Sequence, residues 1–286
     1  MLVAYVSLLS LTLAWGFTFP LVQAALHSAS PMVFIGLRFG LAAVVFPLLV
    51  WPRAFRLNHT LLWKGAVLGI LLGAGYALQT FGLGLTTAAR AGFLTGTLVP
   101  MTPLFAWLLF RERINRRQII AVVLAFAGTA IMSEPSAGGL NLGDALTLLC
   151  AVSFALQVVY VGRWAKHENE IQLSWLQIAA VMLLAGLAIP LEAPRLTFSP
   201  LLLAALLITS LLATTLGVWA QMRYQPRIST TAAAIIYAME PVFAGLASWI
   251  ILGAVPGIAT LTGAGFIFAG MLLSASTPSP VKPEIP

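Results

Sequence analysis

Charge is what this chain lacks. Of 286 residues, 15 are Lys or Arg and 8 are Asp or Glu, 8% in all, whereas a soluble chain carries roughly 25%. With 60% hydrophobic residues it has no means of covering a water-facing surface, so its solvent is lipid. Cysteine is almost missing: Cys150 stands alone inside an apolar run, which excludes an internal disulfide and leaves the redox compartment open. No Gly-x4-Gly-Lys-Ser/Thr pattern occurs, which excludes a P-loop pump within this chain. No nucleophile with a nearby base, no carboxylate pair and no metal cluster lies at transmembrane depth, and His27, His59 and His167 fall in connectors. An enzyme is therefore not expected, and neither a cofactor nor a metal is called for. No filter-like segment or ring of like charge of the kind a channel would use appears either.

What fills the chain is apolar runs of bilayer-crossing length, about 20 residues each. They run from Leu2 to Ala24, Pro31 to Val50, Leu61 to Leu83, Ala88 to Phe110, Gln118 to Met132, Leu142 to Val161, Leu173 to Pro190, Pro200 to Trp219, Ser229 to Leu252 and Pro256 to Ser274. The first has no basic residue before it and is too long for a signal-peptide core, so it is expected to stay as a span. The connectors are short, and the helices are expected to pack as one bundle. With the N-terminus placed inside, Arg53, Arg56, Lys64, Arg111, Arg113, Arg116, Arg117, Arg163, Lys166, Arg223, Arg227 and Lys282 share one side and Arg90 and Arg195 the other. Such segregation predicts cytoplasmic N- and C-termini. The clusters themselves read as topology anchors facing lipid headgroups.

The two sets of five spans echo one another. Gln79 and Gln221, Trp107 and Trp249, and Phe126-Ala127-Gly128 and Phe268-Ala269-Gly270 are separated by 142 positions, and Pro100 and Pro241 by 141. The expected fold class is thus an all-α polytopic membrane protein whose ten transmembrane helices form two inverted five-helix repeats, residues 1–134 and 140–275, with a short cytoplasmic tail at 276–286. An odd number of crossings per repeat turns the second half upside down, a construction of alternating-access carriers that puts the substrate site near mid-bilayer between the halves. Gly65, Gly69 and Gly73, Gly36 and Gly40, and Gly92 and Gly96 recur at every fourth position, which reads as close helix packing. Pro100, Pro103 and Pro241 interrupt the fourth and ninth spans, and Pro100 and Pro241 are expected as hinges on either side of that site.

Two ionisable groups lie inside spans, Arg38 and Glu240, each costing about 2.5–3.5 kcal/mol if it faced lipid. Both are expected to point inward. They either satisfy each other or backbone carbonyls, or they act: Arg38 on a substrate carboxylate or as an outer gate, Glu240 as a proton carrier or partner of a substrate ammonium. Asp144 and Arg90, at span ends, read as interfacial. Helical spacing gathers Trp15 with Thr18, Tyr76 with Gln79, Phe93 with Thr97, Ser153 with Gln157 and Tyr160, Trp219 with Thr215, and Tyr237 with Glu240. Together these sketch an apolar, aromatic pocket with little fixed charge, suited to amphipathic metabolites rather than phosphates or inorganic ions.

The stretches AWGFTFPLV from Ala14, PMVFIGLRF from Pro31, TTAARAGFLTGTLVPMTPLFAWLLFRERI from Thr86 and TTAAAIIYAMEPVFAGLASWIILG from Thr230 resemble the EamA family of the drug/metabolite transporter superfamily, over essentially the whole chain. The resemblance implies a ten-helix inverted-repeat carrier of bacterial inner membranes, of a kind that often exports amino acids, and matches Trp15, Arg38, Pro100, Glu112 and the Glu240-Pro241 pair to the family pattern. Gln23 stands where the family frequently has a lysine, and Gly253-Ala254 where it has a Gly-Glu step. The expected function is export of small amphipathic metabolites, foremost amino acids with apolar or aromatic side chains, by rocking of the two repeats. Proton exchange and facilitated diffusion are both open; the partners are the small-molecule substrate and the lipid bilayer, with no nucleic acid, and a monomer suffices. The competing reading is a multidrug or lipid-carrier exporter of hydrophobic cations, with Glu240 as counter-ion.

Overall fold

The computed structural model describes residues 1–49, 58–86, 88–133, 141–253 and 255–276. Arg53, Arg56, Ala254 and Lys282, the side chain of Arg90 and the tail from 277 onward lie outside the described residues. Without water to bond to, a backbone in lipid satisfies itself by coiling, and the apolar runs do so as α1 (Leu2–Ala25), α2 (Pro31–Leu49), α3 (His59–Leu83), α4 (Ala88–Gly96), α5 (Leu98–Phe110), α6 (Arg116–Ser133), α7 (Leu142–Trp164), α8 (Glu170–Ala188), α9 (Pro200–Ile208), α10 (Gly217–Tyr224), α11 (Thr230–Tyr237), α12 (Glu240–Leu252) and α13 (Ile258–Ala275). Their starts are written in polar residues. The side chains of Asn58, Asn141, Asn169, Ser199 and Ser229 each accept from backbone amides of the first turn, serving donors that a helix start leaves unpaired. Asp144, expected at a solvated span end, is instead fully buried. It completes a capping box with Asn141 and accepts from the Thr86 hydroxyl at 2.9 Å.

Among the described residues nine helical runs are long and apolar enough to cross a membrane. The expected fifth span is carried by α6, whose opening Arg116-Arg117-Gln118 lowers its hydropathy and whose 18 residues lie along α13. Three spans are not simple rods. The fourth breaks at Thr97, between α4 and α5, and the ninth at Ala238-Met239, between α11 and α12. The eighth passes from α9 through an eight-residue π-helix, Thr209–Leu216, into α10, and its helical run reaches Arg227 rather than ending at Trp219.

Element boundaries recur with the 142-residue offset of the sequence echoes. α5 and α12 are 13 residues each, from Leu98 and from Glu240; α6 and α13 are 18 each, from Arg116 and from Ile258. Arg111 and Gly253 close the corresponding helices α5 and α12 in the left-handed conformation, at φ 55° and 68°. Packing is reciprocal as well. α3 lies on α7 as the eighth span lies on α1, and α7 receives α4 and α5 as α1 receives α11 and α12. α2 meets α8 and α6 meets α13, each a pair of equivalents. At the α6–α13 contact a Cβ on Gly128 would stand 2.5 Å from the Gly263 carbonyl oxygen, and one on Gly270 would stand 2.7 Å from that of Ala121. These are one contact made twice.

Connectors gather at the two ends of the bundle. At the end holding most of the basic residues, Lys64 pairs with Glu168 at 2.5 Å, Arg223 pairs with Glu170, the Gln118 amide donates to Ser229 at 3.1 Å, and the Thr230 hydroxyl donates to Glu112 at 3.0 Å. At the opposite end one oxygen of Glu192 accepts from the Ser30 hydroxyl and from the Met32 and Val33 amides, so a carboxylate sits on the N-terminus of α2, where the helix dipole favours it. An antiparallel bridge between Ala29 and Leu196 ties the same connectors together.

The close α6–α13 approach leaves no room for a methyl group: a Cβ on Gly263 would stand 2.4 Å from the Gly128 carbonyl oxygen, while Gly265 meets nothing within 4 Å. Gly263→Ala is expected to cost about 1–3 kcal/mol by overpacking and Gly265→Ala to be near neutral, as read by thermal unfolding of the two variants in the same detergent.

Candidate functional site

Two adjoining chambers lie between the halves. Trp15, Tyr76, Gln79 and Glu240 line both; the first adds Leu72, Leu98, Phe154, Gln157, Val158, Gln221 and Tyr237, and the second adds Thr18, Val22, Phe34, Ile35, Arg38, Thr80 and Leu83. Their cavity volumes, about 60 and about 50 Å³, hold a few water molecules each. Three pairs of residues 142 apart line the first chamber together: Trp15 and Gln157, Gln79 and Gln221, Leu98 and Glu240. In two of them the first half contributes an apolar or aromatic side chain and the second half a polar one.

The breaks in the spans place the polar groups. Glu240 opens α12, the helix that begins where α11 stops, so its carboxylate lies at a helix N-terminus inside the protein. Pro241 follows it, and having no N–H it cannot return a bond to the Tyr237 carbonyl four residues back. Ahead of it the Met239 amide bonds to the Ile236 carbonyl, only three residues back, at 3.0 Å. Pro100 likewise stands in the first turn of α5, where a missing amide is tolerated, so both breaks lie just ahead of their prolines.

Arg38 is 4% exposed and is held by neutral groups. Its Nε donates to the Thr214 hydroxyl at 2.8 Å and its Nη2 to the Tyr76 hydroxyl at 3.3 Å, while the guanidinium lies 4.8 Å from the Tyr76 ring centroid. It forms no ion pair with Glu240 within 4.0 Å. Thr214 belongs to the π-helix, and so does Ala213, whose carbonyl accepts from the Trp15 indole at 3.0 Å. A π-turn widens the helix and displaces its ladder; here that segment is what α1 and α2 grip through their two chamber residues.

A chain of amides backs the first chamber. Gln157 Nε2 donates to Gln177 at 2.9 Å and to Gln221 at 3.2 Å; Gln221 Nε2 donates back to Gln157 and on to Gln225, both at 3.1 Å. Gln225 Nε2 donates to the Val158 carbonyl at 2.6 Å, and the Tyr237 hydroxyl to Gln225 Oε1 at 3.1 Å. Buried polar groups demand such partners, and the second half supplies all of these.

Of the residues expected in the pocket, Trp15, Thr18, Arg38, Tyr76, Gln79, Gln157, Tyr237 and Glu240 line the two chambers. Five do not. Phe93 stacks on Phe126 at 5.8 Å, and the Thr97 hydroxyl donates to the Leu94 carbonyl at 2.6 Å beside the α4–α5 break. Ser153 donates to the Leu71 carbonyl at 2.9 Å, joining α7 to α3. Tyr160 packs on Trp164 at 4.4 Å and Phe110 at 5.7 Å, and Trp219 lies edge-on to Tyr224 at 6.2 Å. Helical spacing placed them on polar or aromatic faces, but those faces turn to neighbouring helices. Missed were Leu98, Phe154, Thr214 and, as a site residue, Gln221. The repeat offset carried a signal for two of them, since Gln221 is the equivalent of Gln79 and Leu98 that of Glu240.

Thr214→Val deletes the partner of a buried guanidinium N–H, and its expected cost is about 1.5–3 kcal/mol. Thr214→Ser should recover most of it; thermal unfolding of both variants against the parent chain is the measurement.

Comparison with known proteins places this geometry. The chain matches the EamA-like transporter family over residues 2–134 and again over 141–276. It is 31% identical over 272 residues to an uncharacterized transporter of Archaeoglobus fulgidus, covering 95% of this chain and 85% of that one. It is 28% identical over 166 residues to a probable amino-acid metabolite efflux pump of Salmonella typhimurium, covering 56% of this chain and 54% of that one. A crystal structure with 19% sequence identity superposes with a TM-score of 0.78 over 94% of this chain and 95% of its own, a likeness of fold alone. The chain therefore belongs to the EamA-like transporter family: it is a multi-pass membrane transporter of small molecules, not an enzyme.

Proposed function

We propose that this transporter exports small amphipathic metabolites, foremost amino acids with apolar or aromatic side chains, by alternating access. The observation that carries the reading is the meeting of equivalent residues across one internal chamber, Trp15 with Gln157 and Leu98 with Glu240. With five spans in each half the second repeat is inverted, and a pseudo-twofold axis in the membrane plane passes through that chamber. The chambers are too tight for a metabolite, so the halves must part to load it, with the breaks ahead of Pro100 and Pro241 as hinges. Arg38 offers its remaining N–H groups to a carboxylate, Glu240 receives the ammonium, and Leu72, Phe154 and Val158 take the apolar part. Distant relatives in Salmonella typhimurium and Escherichia coli named as probable amino-acid metabolite efflux pumps support the substrate class. The basic residues gathered at one end support cytoplasmic termini, and the same relatives support a bacterial inner membrane.

A second reading, export of hydrophobic cations, is favoured by one feature: Glu240 shares its chamber with the aromatic rings of Trp15, Tyr76 and Tyr237. In proteoliposomes, the purified carrier is expected to take up labelled leucine and phenylalanine, and Glu240→Gln to slow that uptake at least about tenfold, as loss of a charged contact would. An imposed pH gradient that accelerates the parent chain but not the variant assigns proton exchange to Glu240. Indifference to the gradient in the parent chain assigns facilitated diffusion. Failure of every amino acid together with transport of a cationic dye would establish the second reading.

A further inference from the structure

The amide chain behind the first chamber has a direction, and one backbone atom sets it. The Val158 carbonyl can only accept, so the Gln225 group at 2.6 Å from it is the NH2, and Gln225 Oε1 faces the other way. That oxygen then takes the Gln221 NH2 and the Tyr237 hydroxyl. Gln221 Oε1 consequently faces Gln157, which spends both of its own N–H groups on Gln221 and Gln177. Donor accounting closes: an amide NH2 has two hydrogens and a tyrosine one, so Gln157, Gln221 and Tyr237 have none left. The Trp15 indole N–H is also spent, on the Ala213 carbonyl.

This side of the chamber therefore has oxygen lone pairs on Gln157 and Gln221, the Glu240 carboxylate, and the ring faces of Trp15 and Tyr237, whose centroids lie 5.4 Å apart. Donors that remain near it, the Tyr76 hydroxyl and the Gln79 amide, belong equally to the neighbouring chamber, where Arg38 sits. A carboxylate or sulfonate would find no free donor on Gln157, Gln221, Tyr237 or the Trp15 indole. A protonated amine finds acceptors for its hydrogens and aromatic faces for its charge.

We infer that the part of the chamber lined by Gln157, Gln221, Tyr237 and Glu240 is a subsite for a protonated amine, and that the Gln225–Val158 bond makes it so by committing the donors of Gln221, Gln157 and Tyr237 elsewhere. The inference rests on the exporter reading and sharpens it. The substrate enters with its ammonium toward the second half and its carboxylate toward Arg38, so N-acylated derivatives are refused while decarboxylated amines are accepted.

The test is equilibrium binding to the full-length carrier in detergent with three probes: labelled 2-phenylethylamine, which has the cation alone; N-acetylphenylalanine, which has the carboxylate alone; and phenylalanine, which has both. Labelled 2-phenylethylamine is expected to bind and to be displaced by phenylalanine, with N-acetylphenylalanine needing at least about tenfold more. Gln157→Leu should weaken 2-phenylethylamine at least about tenfold, whereas Arg38→Leu should weaken phenylalanine by a larger factor than it weakens 2-phenylethylamine. Displacement by N-acetylphenylalanine as effective as by phenylalanine, or no binding of 2-phenylethylamine to the parent chain, overturns the proposal even if Gln157→Leu fails to fold. Binding of 2-phenylethylamine with this pattern but no amino-acid transport in proteoliposomes would uphold the amine subsite and refute the exporter reading, which separates the two.

Discussion

In hydrocarbon every polar group must find its partner within the protein, and that demand organises this structure from the helix starts to the chamber. The asparagines and serines that open α3, α7, α8, α9 and α11 serve the unpaired amides of their own first turns. The same demand explains the eighth span. A regular helix keeps its carbonyls for itself, whereas the π-helical stretch gives one carbonyl to Trp15 and one hydroxyl to Arg38. It thereby holds a charge that would otherwise cost several kcal/mol to bury. Arg38 is kept ready by groups that do not neutralise it.

The repeat makes a chamber, and departures from the repeat make it useful. Three pairs of equivalent residues line the space between the halves, among them Trp15 with Gln157 and Leu98 with Glu240. Had the halves stayed identical, Trp15 would have a second tryptophan as its counterpart and Leu98 a second leucine, and of the three pairs only Gln79 and Gln221 would be polar. Divergence has put Gln157 and Glu240 opposite them. A small amphipath is recognised by such a contrast, because its apolar part and its charged part can each be satisfied at once without either being desolvated in vain.

Much of the fold was legible in the residues because lipid leaves few options. Apolar runs of bilayer length become helices, and in lipid they pack through small residues: a Cβ on Gly69, midway along the four-residue glycine series, would stand 2.4 Å from the Ala180 Cβ of α8. Legibility fell where a helix departs from regularity. Nothing in Thr209–Leu216 announces a π-helix, because a widened turn answers contacts made by α1 and α2 rather than local preference. Of the residues expected in the pocket, Trp15, Gln79 and Glu240 line it. Ser153, Tyr160 and Trp219 pack elsewhere, because spacing along a helix says which side chains share a face and not what that face meets.

By itself the sequence determined the lipid-embedded class, the all-helical multi-span plan, the 142-residue echo and the interior placement of Arg38 and Glu240, since hydropathy and the cost of burying charge act residue by residue. Tertiary structure alone decided that Arg38 and Glu240 stay apart, that Asp144 is buried, and that four glutamines and a tyrosine form one hydrogen-bonded chain between the Val158 carbonyl and Gln177. Hydrogen bonds have orientation as well as partners, and orientation exists only once distant helices have been brought side by side.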